Sequence, residues 1–223
     1  MNVNAFIKIH YNNMVKAGFY PCPNFIHKKG DYQGYCSICG GSNINPNKNI
    51  GELLALIVGE LCGEALEAHR NNRFSTPNLS KLSKNTYIKT LKDLYNEKTI
   101  FAKNWFNNRI KGTFEDEITD TDLRIFDLCG YLKIDIRPIK VHLDPFKVVK
   151  GKNVAEDFYN ISRQLPSVPQ DFDKEKERFS YQINVVYCLL KTFCKIHQIP
   201  IERHVRLKMA YNTTRPYKHG KEY

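Results

Sequence analysis

The sequence predicts an all-α fold, a helical bundle, and three observations point that way. The run GELLALIVGELCGEALEAHRNNR, residues 51–73, sets Glu60, Glu64 and Glu67 at i, i+4 and i+7 inside an otherwise apolar segment. A helix turns about 100° per residue, so these acids share one stripe, flanked by Leu53, Leu54, Leu56, Ile57, Leu61 and Leu66. Phe114-Glu115-Asp116-Glu117-Ile118-Thr119-Asp120 opens a second helical run that continues through Leu123, Ile125, Phe126 and Leu128, with Glu117 and Asp120 three apart and therefore on one face. The third observation is the rest of the chain, where apolar residues recur at helical spacing between Gly and Pro stops.

In chain order, Asn2 to Ala17 is apolar at Phe6, Ile7, Ile9, Tyr11, Met14 and Val15 and stops at Gly18, which predicts a first helix. Residues 19–48 turn to Pro, Gly, Asn, Lys and Cys, a loop-rich insertion ahead of the Glu60 helix. Pro77 to Lys84 is a polar connector, and Asn85 to Lys103 a helix with Ile88, Leu91, Leu94 and Tyr95 inward. Trp105, Phe106 and Ile110 lead into the second acidic helix, which ends near Leu132, before Ile134-Asp135-Ile136 and Pro138. Pro145 to Asn153 reads as a basic loop, Val154 to Leu165 as a short helix, Pro166 to Asp173 as a turn and Lys174 to Gln198 as a long helix; Pro200 starts a last helix through Tyr211. Phe126–Ile136 and Thr192–Ile201 echo each other 65 residues apart, each giving helix, cysteine (Cys129, Cys194) and an apolar-x-apolar exit. Glu117 then falls on Gln182 and Asp120 on Val185, so a second copy would serve packing alone; chance likeness between amphipathic helices is the alternative.

At 223 residues and 42% hydrophobic, the chain supports one domain carrying an insertion. No window nears about 18 uninterrupted apolar residues and the first residues lack a signal-peptide pattern, so a soluble cytoplasmic protein without a membrane partner is expected. The net charge of +11 points to an anionic partner, and nucleotides, nucleic acid and acidic surfaces all qualify. Seven cysteines, an odd number, favour free thiols or a metal over a disulfide framework.

Like charges at i, i+4 cost a helix a few tenths of a kcal/mol, so the acidic stripe asks for a cation. Carboxylate oxygens are what Mg²⁺ prefers, and two acid-bearing helices packed side by side can share one ion. In the insertion, Cys36-x-x-Cys39 followed by Gly40-Gly41 resembles a zinc knuckle, with Cys22 and His27 to complete the set, or His10 in place of His27; a loop of free cysteines is the alternative. Near the C-terminal end Lys208, Asn212 and Arg215 fall at i, i+4 and i+7, with Lys218 beyond. Arg clamps phosphate bidentately and Lys acts as a point charge, so this face suits a phosphate; a merely solvated basic end is the bland reading.

Three segments, NIGELLALIVGELCGEALEAHR at 49–70, TFEDEITDTDLRIFDLCGYLKIDI at 113–136 and IERHVRLKMAYNTTRPYKHGK at 201–221, together resemble the MazG-like all-α nucleoside triphosphate pyrophosphohydrolases of bacteria and phages. They cover under a third of the chain. The family pattern is an EExxE helix followed by an ExxD helix that together hold Mg²⁺ in a bundle, usually a dimer or tetramer. Glu117 and Asp120 match ExxD. Glu60 and Glu64 match the outer acids of EExxE with Leu61 at the middle one; a second alignment makes Glu60 the middle acid and requires one extra residue before Glu64, a π-bulge. Glu67 is then either a ligand or a surface charge. Residues 19–48 and 137–200 exceed a minimal member.

The resemblance implies hydrolysis of a (d)NTP to (d)NMP and pyrophosphate in the cytoplasm, the host's for a phage member. Mg²⁺, or Mn²⁺, would be held by Glu60, Glu64, Glu117 and Asp120, with Zn²⁺ a structural addition, and a homodimer or homotetramer is expected. Lys208, Arg215 and Lys218 would bind the triphosphate, Asn212 a phosphate or sugar hydroxyl, and Trp105 or Tyr211 would stack on the base unless each serves the core. Nucleic acid is not expected as the main partner. The rival readings are a zinc-knuckle nucleic-acid-binding module with structural acidic helices, and a catalytically lapsed scaffold of the same fold, motivated by Leu61.

Overall fold

The computed structural model describes residues 2–16, 46–76, 78–95, 100–138 and 144–215. The candidate zinc ligands Cys22, His27, Cys36 and Cys39, and Lys218, lie outside the described residues. Helix α1 (Val3–Lys16) buries Ile7, His10 and Met14. Helix α2 (Pro46–Val58) passes without interruption into a π-helical segment (Gly59–Ala65) and then α3 (Leu66–Arg70). After them come α4 (Lys84–Tyr95), α5 (Ile100–Arg109), α6 (Phe114–Leu132), α7 (Pro145–Val149), α8 (Val154–Ser162), α9 (Phe172–Ile196) and α10 (Ile201–Thr213). Among the described residues there is no strand, and no helix is long and apolar enough to cross a membrane.

Helix α6 is the axis of the bundle. Thr113 caps its N-terminus by accepting from the Asp116 amide at 3.4 Å, and Glu115 and Asp116 put negative charge where the helix dipole favours it. It is buried on nearly every face, as a helix with neighbours all round must be. α1, α2, the π segment, α9 and α10 pack against it. The main core joins Ile57 and Leu61 to Ile118, Ile125 and Phe126 of α6, then to Phe158, Phe193 and Val205. A second cluster gathers Tyr87 and Leu94 of α4, Ala102 and Phe106 of α5 and Leu207, Ala210 and Tyr211 of α10. α10 therefore lies between the two clusters, with Val205 and Met209 facing one and Tyr211 the other.

The structure departs from the sequence expectations in four places. Residues 46–48, expected in the loop, already belong to α2. The helix expected over 85–103 is two, α4 and α5, which also takes in Trp105 and Phe106. Tyr87 of α4 donates to the Arg203 carbonyl at 3.3 Å and Phe106 of α5 stacks on Tyr211, so the two segments meet α10 at different places; residues 96–99 between them lie outside the described residues. On α4, Tyr87 is the inward tyrosine and Tyr95 is exposed. In the basic stretch after Asp144, that residue accepts from the Phe146 amide at 3.0 Å and Pro145 takes the first helical position, nucleating the short α7.

The echo between the two cysteine segments is a shared helix ending. Ile134 donates to the Cys129 carbonyl and Ile199 to the Cys194 carbonyl, both at 2.8 Å, around left-handed residues Lys133 (φ 54°) and Gln198 (φ 55°). This is the Schellman arrangement, in which the apolar residue after the cap folds back on the last turn. It accounts for the cysteine and the apolar exit in both copies.

Candidate metal centre

The π segment and α6 bring Glu60, Glu117 and Asp120 together: each offers a carboxylate oxygen, and these atoms lie within 4.8 Å of one another. All three side chains are half-buried. Two links hold the elements in register. Phe114 at the start of α6 donates its amide to the Arg73 carbonyl at 2.7 Å, and Ser75 donates to Glu115 Oε2 at 2.9 Å, so the chain leaving α3 is tied to the first turn of α6.

Two cations brace the acids from either side. Arg124 donates from Nε and Nη2 to Glu60 Oε1, each at 3.3 Å, and its Nη1 lies 3.6 Å from Asp127 Oδ2. Lys208, buried on α10, donates to Asp116 Oδ2 at 2.8 Å and to Asp120 Oδ2 at 2.9 Å. Burial opposes a charge on Lys208, but Asp120 and Asp116 outweigh it and hold the ammonium above the usual lysine range. Asp116 also accepts from the Gly112 amide at 3.0 Å, where Gly112 adopts φ 73°, while its Oδ1 is buried without a hydrogen-bond partner.

Among the described residues no basic group comes within ion-pair distance of Glu117. Burial first, then the charges of Asp120 and Asp116, push its carboxyl up to about 8. Glu60 is likewise raised, by burial and then by Asp120, with Arg124 offsetting part of the shift. With Glu117 ionised, four carboxylates (Glu60, Asp116, Glu117, Asp120) would face two cations, an excess of two negative charges that the raised Glu117 carboxyl relieves by holding its proton when no ion is bound. That imbalance, an all-oxygen donor set and an acid with no cation beside it fit a hard divalent ion. The spacing fits as well, since Mg–O bonds of about 2.0–2.1 Å put opposite ligand oxygens about 4.2 Å apart.

The other candidate residues fall elsewhere. Glu64 and Glu67 are exposed and outside the three-acid group, and Glu67 pairs with Arg73 at 3.8 Å. The cause is local: bonds running i to i+5 need more residues per turn, so Glu64 stops short of the Glu60 direction, while Leu61 turns into the core. The π segment spans Glu60, and it does not bring Glu64 into the acid group. Asn212 and Arg215 line a cavity between α1 and α10 instead of the acid cluster. Tyr211 stacks on Phe106 at 4.3 Å between centroids and donates to Asn107 at 2.8 Å, and Trp105 packs on the same cluster, so both serve packing. His10 is buried with Nε2 3.0 Å from Asp127 Oδ1.

Sequence reasoning did not single out Asp116 or Arg124. A signal for Arg124 exists, since 117, 120, 124 and 127 form one helical stripe and a base within it marks where an outside acid will dock. Asp116 lies four residues before Asp120, but its role depends on Lys208 arriving from another helix. No family model matches this chain, and no curated protein or solved structure shows significant similarity to it.

Proposed function

We propose that this protein is a Mg²⁺-dependent nucleoside triphosphate pyrophosphohydrolase that converts a (d)NTP to the (d)NMP and pyrophosphate. One observation carries the reading: Glu60 from the π segment meets Glu117 and Asp120 from α6 closely enough to share an ion. These three residues would hold Mg²⁺, with Mn²⁺ the natural substitute. When bound, such an ion neutralises phosphate oxygens and makes a nearby water easier to deprotonate.

The chain's own groups divide the remaining work. Lys208 and Arg124 fix Asp120 and Glu60 in place before substrate arrives, which is the preorganisation that electrostatic catalysis relies on. Glu117, with no cation at ion-pair distance among the described residues, is the carboxylate best suited to accept a proton as water adds to the α-phosphorus and the bond to the β-phosphate's bridging oxygen breaks. Pyrophosphate leaves with that oxygen. Arg215 and Lys218 supply positive charge for the anionic substrate; Lys208 does so only through the acids it already holds. Assembly as a homodimer or homotetramer belongs to the same reading.

The test is to incubate the chain with each NTP and dNTP, with Mg²⁺ or with EDTA, and to resolve the products by anion-exchange chromatography. Equal amounts of nucleoside monophosphate and pyrophosphate, formed only with the metal, are expected. Diphosphate plus orthophosphate, or no product across the panel, would overturn the reading. Salt-sensitive binding to long nucleic acid without turnover would support the nucleic-acid-binding module instead.

A further inference from the structure

Lys208 puts one ammonium between two carboxylates of the acid group: Nζ donates to Asp116 Oδ2 at 2.8 Å and to Asp120 Oδ2 at 2.9 Å. Asp120 is also one of the three acids that can share an ion, so the lysine and that ion would have a carboxylate in common. Bridging neighbouring acids beside a first ion is what a second divalent ion does in a paired site. Mg–O bonds run about 2.0–2.1 Å, so an ion in the ammonium's place would need each oxygen to draw in by less than about 1 Å.

We infer that Lys208 takes the place of a second metal ion, so that the chain itself holds one divalent ion, on Glu60, Glu117 and Asp120, and any further ion arrives with the triphosphate. The inference rests on the metal-dependent reading above. Lys208 is not easily expelled from this position. Its side chain is 7% exposed, its ammonium lies 5.9 Å from the centroid of the Phe106 ring, and among the described residues Asp116 and Asp120 are its ion-pair partners. An ion entering between those acids would strand a buried cation without a carboxylate, which is costly. Asp116 is committed in turn: Oδ2 is shared between Lys208 and the Gly112 amide, and Oδ1 is buried without a hydrogen-bond partner. Charge points the same way. With one divalent ion bound and Glu117 ionised, the four carboxylates balance that ion together with Lys208 and Arg124, and a second ion would leave the site positive.

Equilibrium dialysis against Mn²⁺ without nucleotide tests this, with bound metal counted by atomic emission and its spectrum recorded by electron paramagnetic resonance. Wild type should take up one Mn²⁺ per chain, with the spectrum of an isolated ion. Lys208→Met keeps most of the stem and removes the charge; it should take up a second Mn²⁺, and the pair should give the spin-coupled spectrum of ions about 3.5–4 Å apart. Adding Asp116→Asn to Lys208→Met should return the count to one. Two ions in wild type, or one in a folded Lys208→Met, overturn the inference and leave the pyrophosphohydrolase reading standing. If Lys208→Met does not fold, the wild-type count and spectrum decide alone. A wild type that takes up no Mn²⁺ overturns both.

Discussion

Lys208 stands 2.9 Å from Asp120 Oδ2, buried, and shares its ammonium with Asp116 at 2.8 Å. A cation so placed is a structural counterion before it is anything else. Removing it leaves Asp116 buried with an uncompensated charge, which typically costs about 3–5 kcal/mol. Lys208→Ala should therefore lower the unfolding free energy by that order in urea titrations, whereas Arg215→Ala, on the cavity wall, should change it by under about 1 kcal/mol. Equal small losses for the two variants would show that the Asp116–Lys208–Asp120 group does not hold the fold together.

Glu117 makes the metal-free protein sensitive to alkali. Its carboxyl is raised from 4.5 to about 8, mainly by burial, so the folded state binds this proton more tightly than the unfolded chain. Folding stability from this group is complete below about pH 4.5 and is lost as pH rises through about 8. In EDTA the thermal midpoint should fall across that window. Glu117→Gln mimics the protonated acid and should flatten the fall, leaving the variant more stable than wild type at pH 8. The same variant should lose at least about 100-fold in turnover, the usual size of a general-base contribution. A Gln variant that is both active and less stable would remove Glu117 from the site.

Gly130 marks the closest approach of α1 to α6. A Cβ placed there would lie 2.5 Å from Tyr11 Cβ and 2.6 Å from its Cγ, which the two helix backbones cannot absorb without separating. Gly130→Ala should cost about 1–3 kcal/mol, as overpacking does. Gly59→Ala is the matched control: among the described residues nothing lies within 4 Å of its added methyl, so it should be neutral or stabilise by up to about 1 kcal/mol. Urea midpoints for the pair give the comparison, and a harmless Gly130→Ala would mean that α1 sits more loosely on α6 than the contact with Tyr11 indicates.

Helix positions were legible in the sequence wherever a helix has one buried face and a recognisable end. The Phe114–Leu132 helix, the long Phe172–Ile196 helix and the last helix from Ile201 all follow from apolar spacing and from Pro, Gly or cap residues. That Tyr87 and not Tyr95 faces inward was not legible, because it answers to where α10 lies. The acids show the same division. Glu117 and Asp120 share a face through helical spacing alone, while the choice between Glu60 and Glu64 depends on a backbone irregularity that periodicity cannot register. Asp116 and Arg124 needed partners from elsewhere in the chain to acquire a role. Lys208 was recognisable as a basic residue on a helical face, but which way it points is fixed by tertiary packing: it turns inward to acids and not outward to phosphate.

The wide turn at Gly59–Ala65 makes a prediction about which acids answer to metal. A ligand that binds only the folded state stabilises it by RT ln(1 + [L]/Kd), about 2.7 kcal/mol at 100 times Kd. Saturating Mg²⁺ should thus raise the wild-type thermal midpoint by several degrees above its value in EDTA. Asp120→Asn and Glu60→Gln each remove one carboxylate charge from the three-acid group, so most of that rise should vanish in both. Glu64, exposed because the i to i+5 bonding carries it away from the Glu60 direction, should matter much less, and Glu64→Gln should keep most of the Mg²⁺-dependent rise. Isothermal titration with Mn²⁺ should give the same order of variants. If Glu64→Gln abolishes the rise as completely as Asp120→Asn, the functional segment must rewind to ordinary α-helix when the ion binds, and the three-acid arrangement is not the one that holds it.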